Sequence, residues 1–221
     1  FTSPELSTGD SLIFIRAYNL RPGIWKFRLT GEYIVEGNYY AWIPQRELID
    51  DETKFLNPVE YTTITLPSTS NNAISVGYYN QNNNSIVSES SNGYTRYGNI
   101  KPDIVAGGSN ALVTIPGGAT SVMSGSSVAG AVVAGCCALI LQWAVSDGNY
   151  PDIYASQIKT YIISGAKTRP GDIYPNRQWG YGMFDLQRIF DWIQQTYTPR
   201  INDDFEEYRV KNLFIRKPKD L

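Results

Sequence analysis

One run of residues constrains this chain more than any other. Ser124-Gly125-Ser126-Ser127-Val128-Ala129-Gly130-Ala131-Val132-Val133-Ala134-Gly135 leads into Cys136-Cys137-Ala138-Leu139-Ile140-Leu141-Gln142-Trp143. Two serines after a glycine are favourable residues for starting a helix. The next two turns hold only small or β-branched side chains, so this helix can come close to its neighbours. That predicts costly overpacking for bulk inside the run, at Ala134 or Gly135 for example. A serine in the first turn lies beside unpaired backbone N–H groups and the positive end of the helix dipole. Such a place suits a nucleophile whose attack creates an oxyanion. The plainer alternative is a buried helix of small residues with no chemistry.

The run resembles the serine motif of the subtilisin family, Gly-Thr-Ser-x-Ala-x-Pro followed by a Val-Ala-Gly turn. Gly125, Ser126, Ser127, Ala129, Val133, Ala134 and Gly135 follow that pattern in order. Ser126 stands for the usual threonine and Ala131 for the usual proline. The resemblance implies that Ser127 is the nucleophile and that its backbone N–H is one oxyanion donor.

The missing histidine gives this resemblance its meaning. Among 221 residues there is none, yet a triad serine needs a histidine to take its proton and an acid to orient it. In subtilisins the order along the chain is Asp, His, Ser. The resemblance implies a chain that carries only the C-terminal part. Asp, His and the oxyanion Asn would then belong to a missing N-terminal half, the expected partner of this chain. The first residue, Phe1, has no signal-like segment behind it, which fits an excised piece or a processed product.

Composition narrows the other classes. With 42% hydrophobic and 18% charged residues the chain reads as globular, and its length suffices for a substantial core. A net charge of −2 leaves no electrostatic footprint for nucleic acid. No uninterrupted apolar run approaches the roughly 18 residues of a membrane span. Cys136 and Cys137 are adjacent and read as small apolar fillers; no zinc site of the usual ligands, no other metal and no cofactor is expected.

Along the chain, residues 1–66 look all-β. Leu12–Ile15 is a short apolar run, Pro22-Gly23 a turn, and Trp25, Phe27 and Leu29 alternate with Lys26, Arg28 and Thr30. Glu36-Gly37-Asn38 signals a hairpin into Tyr39–Ile43, ended by Pro44. Sixteen Tyr and five Trp favour strands. Together these features predict a sandwich or jelly roll. Arg16, Arg28 and Arg46 read as solvated charges. A boundary is expected between Tyr61 and Asn72. Beyond it, Ala73–Gly77 reads as a buried strand, Asn80–Asn84 as a polar loop and Lys101–Gly108 as a short strand entering a glycine turn. The Ser127 helix should stop at Asp147-Gly148-Asn149. A second helix should begin at Pro151-Asp152 with Tyr154, Ile158, Tyr161 and Ile162 on one face. A third should carry Leu186, Ile189, Phe190 and Ile193.

An all-β segment before an Ile-Ser-Val-Gly strand is similar to the clostridial germination proteases, a subtilisin branch with an inserted jelly roll. Phrases similar to theirs include Pro22-Gly23-Ile24-Trp25, Trp42-Ile43-Pro44-Gln45, Gly93-Tyr94-Thr95-Arg96 and Tyr174–Gly182. The fold implied is α/β. Part of the jelly roll (1–66) precedes the C-terminal part of a subtilisin-like, three-layer parallel-sheet domain (67–198) and a tail (199–221). The activity implied is peptide-bond hydrolysis through an acyl-enzyme, on a protein substrate, and by analogy the activation of a spore cortex-lytic enzyme precursor. A bacterial spore or secreted location follows from the same resemblance. A pseudoprotease that senses or signals, and a jelly-roll binding module, are the competing readings.

Overall fold

The computed structural model describes residues 9–34, 37–44 and 48–197. Glu36 of the expected hairpin, Gln45, Arg46 and the 199–221 tail lie outside the described residues. The chain divides into two compact units, 1–54 and 55–221. The sequence puts the division near residue 66. The structure places it earlier, because Thr62 and Thr63 donate main-chain hydrogen bonds to Gly93 and Asn92 (3.2 and 3.0 Å) and so belong with the second unit.

In the first unit the expected strands do not form among the described residues. Leu12–Ile15, Trp25–Leu29 and Tyr39–Ile43 carry no ladder, and their large side chains, Phe14 and Phe27 among them, stand exposed. The period-2 pattern survives only locally: Tyr40 and Trp42, two apart and so on one side of extended chain, stack at 5.6 Å with 12° between the rings. Alternation decides which side chains share a face. A strand also needs a neighbour for its N–H and C=O groups, and none is supplied here.

The second unit is α/β. Strand β1 (Val76–Asn80) lies between β2 (Ser85–Ile86), antiparallel, and β3 (Ile104–Gly107), parallel. Met183 extends the sheet beyond β3 by a parallel bridge to Val105. Alternation sends Ile104 and Ala106 to one face and Val105 to the other. The first face builds the main core with Ala129, Val133, Cys136 and Ile140; on the second, Val105 packs with Trp179 and Met183. Both faces are covered, which is why Ile104-Val105-Ala106 reads as an unbroken apolar run.

A hairpin, β4 (Ala111–Thr114) with β5 (Thr120–Met123), connects β3 to helix α1 (Ser126–Leu141). Sequence reading missed it, although Pro116-Gly117-Gly118 between two β-rich runs is a legible turn signal. Helix α1 lies across β1 and β3 and continues as one wide π-type turn, Gln142–Ser146. Asn149 Nδ2 and Tyr150 N–H then take up the carbonyls of Trp143 and Ala144, each at 2.8 Å. The joined helix, Ser126–Ser146, is long and apolar enough to cross a membrane by length and composition alone. Ser, Gly and Gln residues interrupt it, so no uninterrupted apolar run of that length occurs in the sequence.

Helix α2 spans Ala155–Ser164, not from Pro151, because Tyr154 is extended and its N–H donates to Gln157 Oε1 (3.1 Å), fixing the start there. Tyr154 is therefore exposed, whereas Ile158, Tyr161 and Ile162 are buried as expected. Helix α3 (Leu186–Tyr197) begins where Asp185 Oδ1 accepts the Arg188 N–H (3.2 Å), and it buries Ile189 and Ile193.

The expected close packing of the whole small-residue run holds for only one side of α1. Ala129 is buried, but Ala134 and Gly135 are exposed, and a Cβ added at Gly130 or Gly135 would meet nothing within 4 Å. Gly135→Leu is therefore expected to leave the melting midpoint of this 221-residue chain unchanged or raised, since leucine is the better helix former by several tenths of a kcal/mol or more. Thermal denaturation followed by circular dichroism would read this; a fall of more than about 5 °C would mean that the position is packed.

Candidate active site

The site is built where the parallel strands end. Beyond β3, Gly108 N–H donates to Tyr79 O at the carboxyl end of β1 (3.1 Å), and Gly108 O accepts Gly125 N–H (2.8 Å). The start of α1 is thus clamped to the carboxyl ends of two parallel strands, where α/β sheets place their ligands. Two glycines make this possible. A Cβ at Gly108 would lie 2.8 Å from Gly125 O and 3.0 Å from Tyr78 Cβ, and Gly125 has φ of 141°, where side chains are strained.

Gly125 is the N-cap and has no side chain with which to cap. Ser126 and Ser127 are the first two helical residues, and both are exposed. Their N–H groups precede the first intrahelical bonds, which begin with Val128 and Ala129 donating to Gly125 O (3.1 and 3.3 Å). Ser127 therefore presents its hydroxyl to solvent beside its own free N–H, the arrangement an acyl-transfer nucleophile needs.

The flanking loop is held by polar clamps that sequence reading missed. Asn110 N–H donates to Ser124 Oγ (2.8 Å), while Gln81 donates to Ser109 O (2.5 Å) and accepts from Ser109 N–H (3.2 Å). Asn and Gln at isolated positions carry no motif that would have flagged these contacts.

The chain has no histidine to serve Ser127 as a base, and among the described residues the groups with shifted pKa values do not replace it. Burial, and then the charge of Glu89, raise the Tyr78 hydroxyl above its ordinary value of 10.0, so it stays neutral. Cys136 is pushed up to about 12, first by burial and then by Cys137, which makes it inert. Burial lowers the pKa of Lys101, with Asp103 opposing and Lys159 adding to the effect. That lysine stands at the opposite end of the sheet, before the four residues of β3, about 13 Å of strand from the Ser127 end. Lys101 instead belongs to a buried network. Its Nζ contacts Asp103 Oδ2 (2.7 Å) and Ala73 O (2.9 Å), Asp103 Oδ1 pairs with Lys159 (2.9 Å), and Ser75 N–H donates to Asp103 Oδ2 (2.7 Å). Among the described residues no three His, Cys, Asp or Glu side chains converge as a metal site would require.

Residues 50–182, which include Ser127 and the strands that seat it, match the subtilase family. The chain belongs to the subtilase family. An intracellular serine protease of Paenibacillus polymyxa is 40% identical to this subtilase over 132 residues, 57% of this chain and 37% of that protein. The solved structure of the Clostridium perfringens CspB protease is 40% identical, with a TM-score of 0.62 over 65% of this chain and 32% of that one. The patellamide maturation protease PatA, at 23% identity and TM-score 0.51 over 62% of this chain and 48% of that one, shares the fold. This subtilase chain thus spans about a third of the length of its Paenibacillus and Clostridium relatives.

Proposed function

We propose that this chain supplies the nucleophile of a subtilisin-type serine endopeptidase. The N-terminal half of the longer polypeptide to which this chain belongs supplies the Asp, the His and the oxyanion Asn. The observation that carries this reading is the exposed Ser127, held with its free N–H at the strand ends inside the matched region. Ser127 Oγ attacks the scissile carbonyl carbon, and its proton passes to the histidine. The Ser127 N–H and the asparagine side chain hold the resulting oxyanion. The C–N bond then breaks, the amine leaves with the proton from the histidine, and water hydrolyses the acyl ester.

The resemblance to clostridial germination proteases, supported by the 40% identity to the CspB protease, extends the reading. The substrate is a protein, the precursor of a spore cortex-lytic enzyme, and the setting is the bacterial spore or its exterior. Residues of the first unit, 1–54, then contribute to an inserted jelly roll whose strands pair in the longer polypeptide.

A fluorophosphonate probe tests the chemistry. The longer polypeptide is expected to take one label, mapped by mass spectrometry to Ser127, and the 221-residue chain none, because a serine without a base is a poor nucleophile. A folded longer polypeptide that refuses the probe would replace the protease with a pseudoprotease. A label on Ser124 or Ser126 would displace the nucleophile.

A further inference from the structure

Two cavities in the second unit share one wall. The smaller, about 70 Å³, is lined by Ser126, the neighbour of Ser127, and by Ser90 and Ser91. The larger, about 350 Å³, is bounded by the same two serines. Its lining carries two carboxylates, Glu60 and Glu89, and no Lys or Arg among the described residues. The nearby Arg177 is engaged elsewhere, its guanidinium lying over the rings of Tyr61 and Tyr94 at 4.7 and 5.3 Å from their centroids. One acceptor in this lining is unmet. The main chain of Asn92 is paired with Thr63, but its side-chain Oδ1 is buried and has no hydrogen-bond partner among the described residues. A buried acceptor left without a donor is uncommon and costly. Ile86 and Val87 add partly buried apolar surface.

We infer that this larger cavity is a specificity subsite for a Lys or Arg side chain of the protein substrate, with Glu60 and Glu89 reading its charge and Asn92 Oδ1 accepting one of its N–H groups. The inference rests on the protease reading above and adds to it the sign of charge near the cleaved bond. The chemistry of the lining selects the ligand. Oxygen acceptors beside an apolar patch suit a methylene stem that ends in a head able only to donate, which describes Lys and Arg. A metal ion suits the lining less, since among the described residues no three His, Cys, Asp or Glu side chains converge. The reach from Ser127 is short. An extended peptide advances about 3.3 Å per residue, so a substrate that crosses the smaller cavity brings a side chain to the larger one within about four residues of the scissile bond.

Cleavage of a mixed peptide library by the longer polypeptide, read by mass spectrometry, tests the subsite. One position within about four residues of the cleaved bond is expected to favour Lys and Arg over Asp and Glu by about tenfold. Glu60→Gln with Glu89→Gln should erase that preference. Glu60→Arg with Glu89→Arg should turn it toward Asp and Glu, a reversal that a mere loss of stability would not produce. An absent basic preference, as would follow if other parts of the longer polypeptide fill the cavity, would overturn the inference. So would a preference that survives both pairs of substitutions. A second readout needs no turnover. The longer polypeptide carrying Ser127→Ala is mixed with the same library, and the peptides still bound after gel filtration are identified. Enrichment in Lys and Arg peptides is expected, and its loss when Glu60→Gln and Glu89→Gln are added; bound peptides that are indifferent to charge would overturn the subsite. Fluorophosphonate labelling of the unsubstituted polypeptide separates the two readings. Charge-selective binding without a label keeps the subsite and removes the protease, whereas a label with charge-blind cleavage does the reverse.

Discussion

Ser127→Ala is expected to lower the turnover of the completed protease by about 10⁶-fold, the loss known for the serine of subtilisin itself, while leaving the stability of the chain intact. The two effects separate because of where the residue stands. Ser127 is exposed in the first turn of α1, and the N-cap is Gly125, so its hydroxyl does not close the end of the helix. The sequence alone suggested a capping role, whose loss costs about 0.5–2 kcal/mol. With the cap assigned to Gly125, alanine gives up little and gains helix propensity. Steady-state cleavage of a peptide substrate together with a thermal melt would check both halves. Ser126→Ala is the control and should keep most of the turnover. Loss of turnover in Ser126→Ala, with Ser127→Ala active, would move the nucleophile by one residue and end the present assignment.

Asp103→Ala is expected to destabilise the chain by about 3–5 kcal/mol, the cost of stripping one partner from a buried ion pair. Asp103 and Lys101 have side-chain exposures of 4% and 2%. Without the carboxylate, the two ammonium groups of Lys101 and Lys159 would face each other and the buried Ser75 N–H would lose its acceptor. Lys101→Met should cost far less. Lys159 still neutralises Asp103, and an apolar side chain of similar length suits a buried position. The pH dependence carries the same signature. Lys101 titrates below 10.5 in the folded chain and near 10.5 when unfolded. Between those two values the unfolded chain binds more protons, so this group makes stability rise with pH across that interval and contributes no slope below it. Urea denaturation at a series of alkaline pH values would reveal the rise in the wild type and its absence in Lys101→Met. A loss below about 1 kcal/mol in Asp103→Ala would show the network to be dispensable.

Much of this was legible without coordinates. The serine run marked the start of helix α1 and Ser127 as the proposed nucleophile, because a first-turn serine and an unbroken small-residue sequence are local patterns read along one strand of text. The missing histidine, a count, is what the proposal of a base supplied from elsewhere rests on. Helical spacing in Ile158, Tyr161, Ile162, Ile189 and Ile193 gave the faces that are buried, since a 3.6-residue period is a property of the segment itself.

What escaped were relations between segments. The clamps of Asn110 on Ser124 and of Gln81 on Ser109 join residues 14 and 28 positions apart, and no period or motif ties such pairs together. The strand reading of Lys101–Gly108 says nothing of the buried pairing of Lys101 and Lys159 with Asp103. The described residues of the first unit teach the converse: their alternation is plain in the text, but a strand exists only when another strand answers its backbone. The sequence by itself determined the helix that begins at Ser126 and the faces of the two helices after it, and it pointed to Ser127 as the residue to test. Only the tertiary structure decided which side of that helix is filled and which is bare, because burial is a property of neighbours, and neighbours are chosen in space.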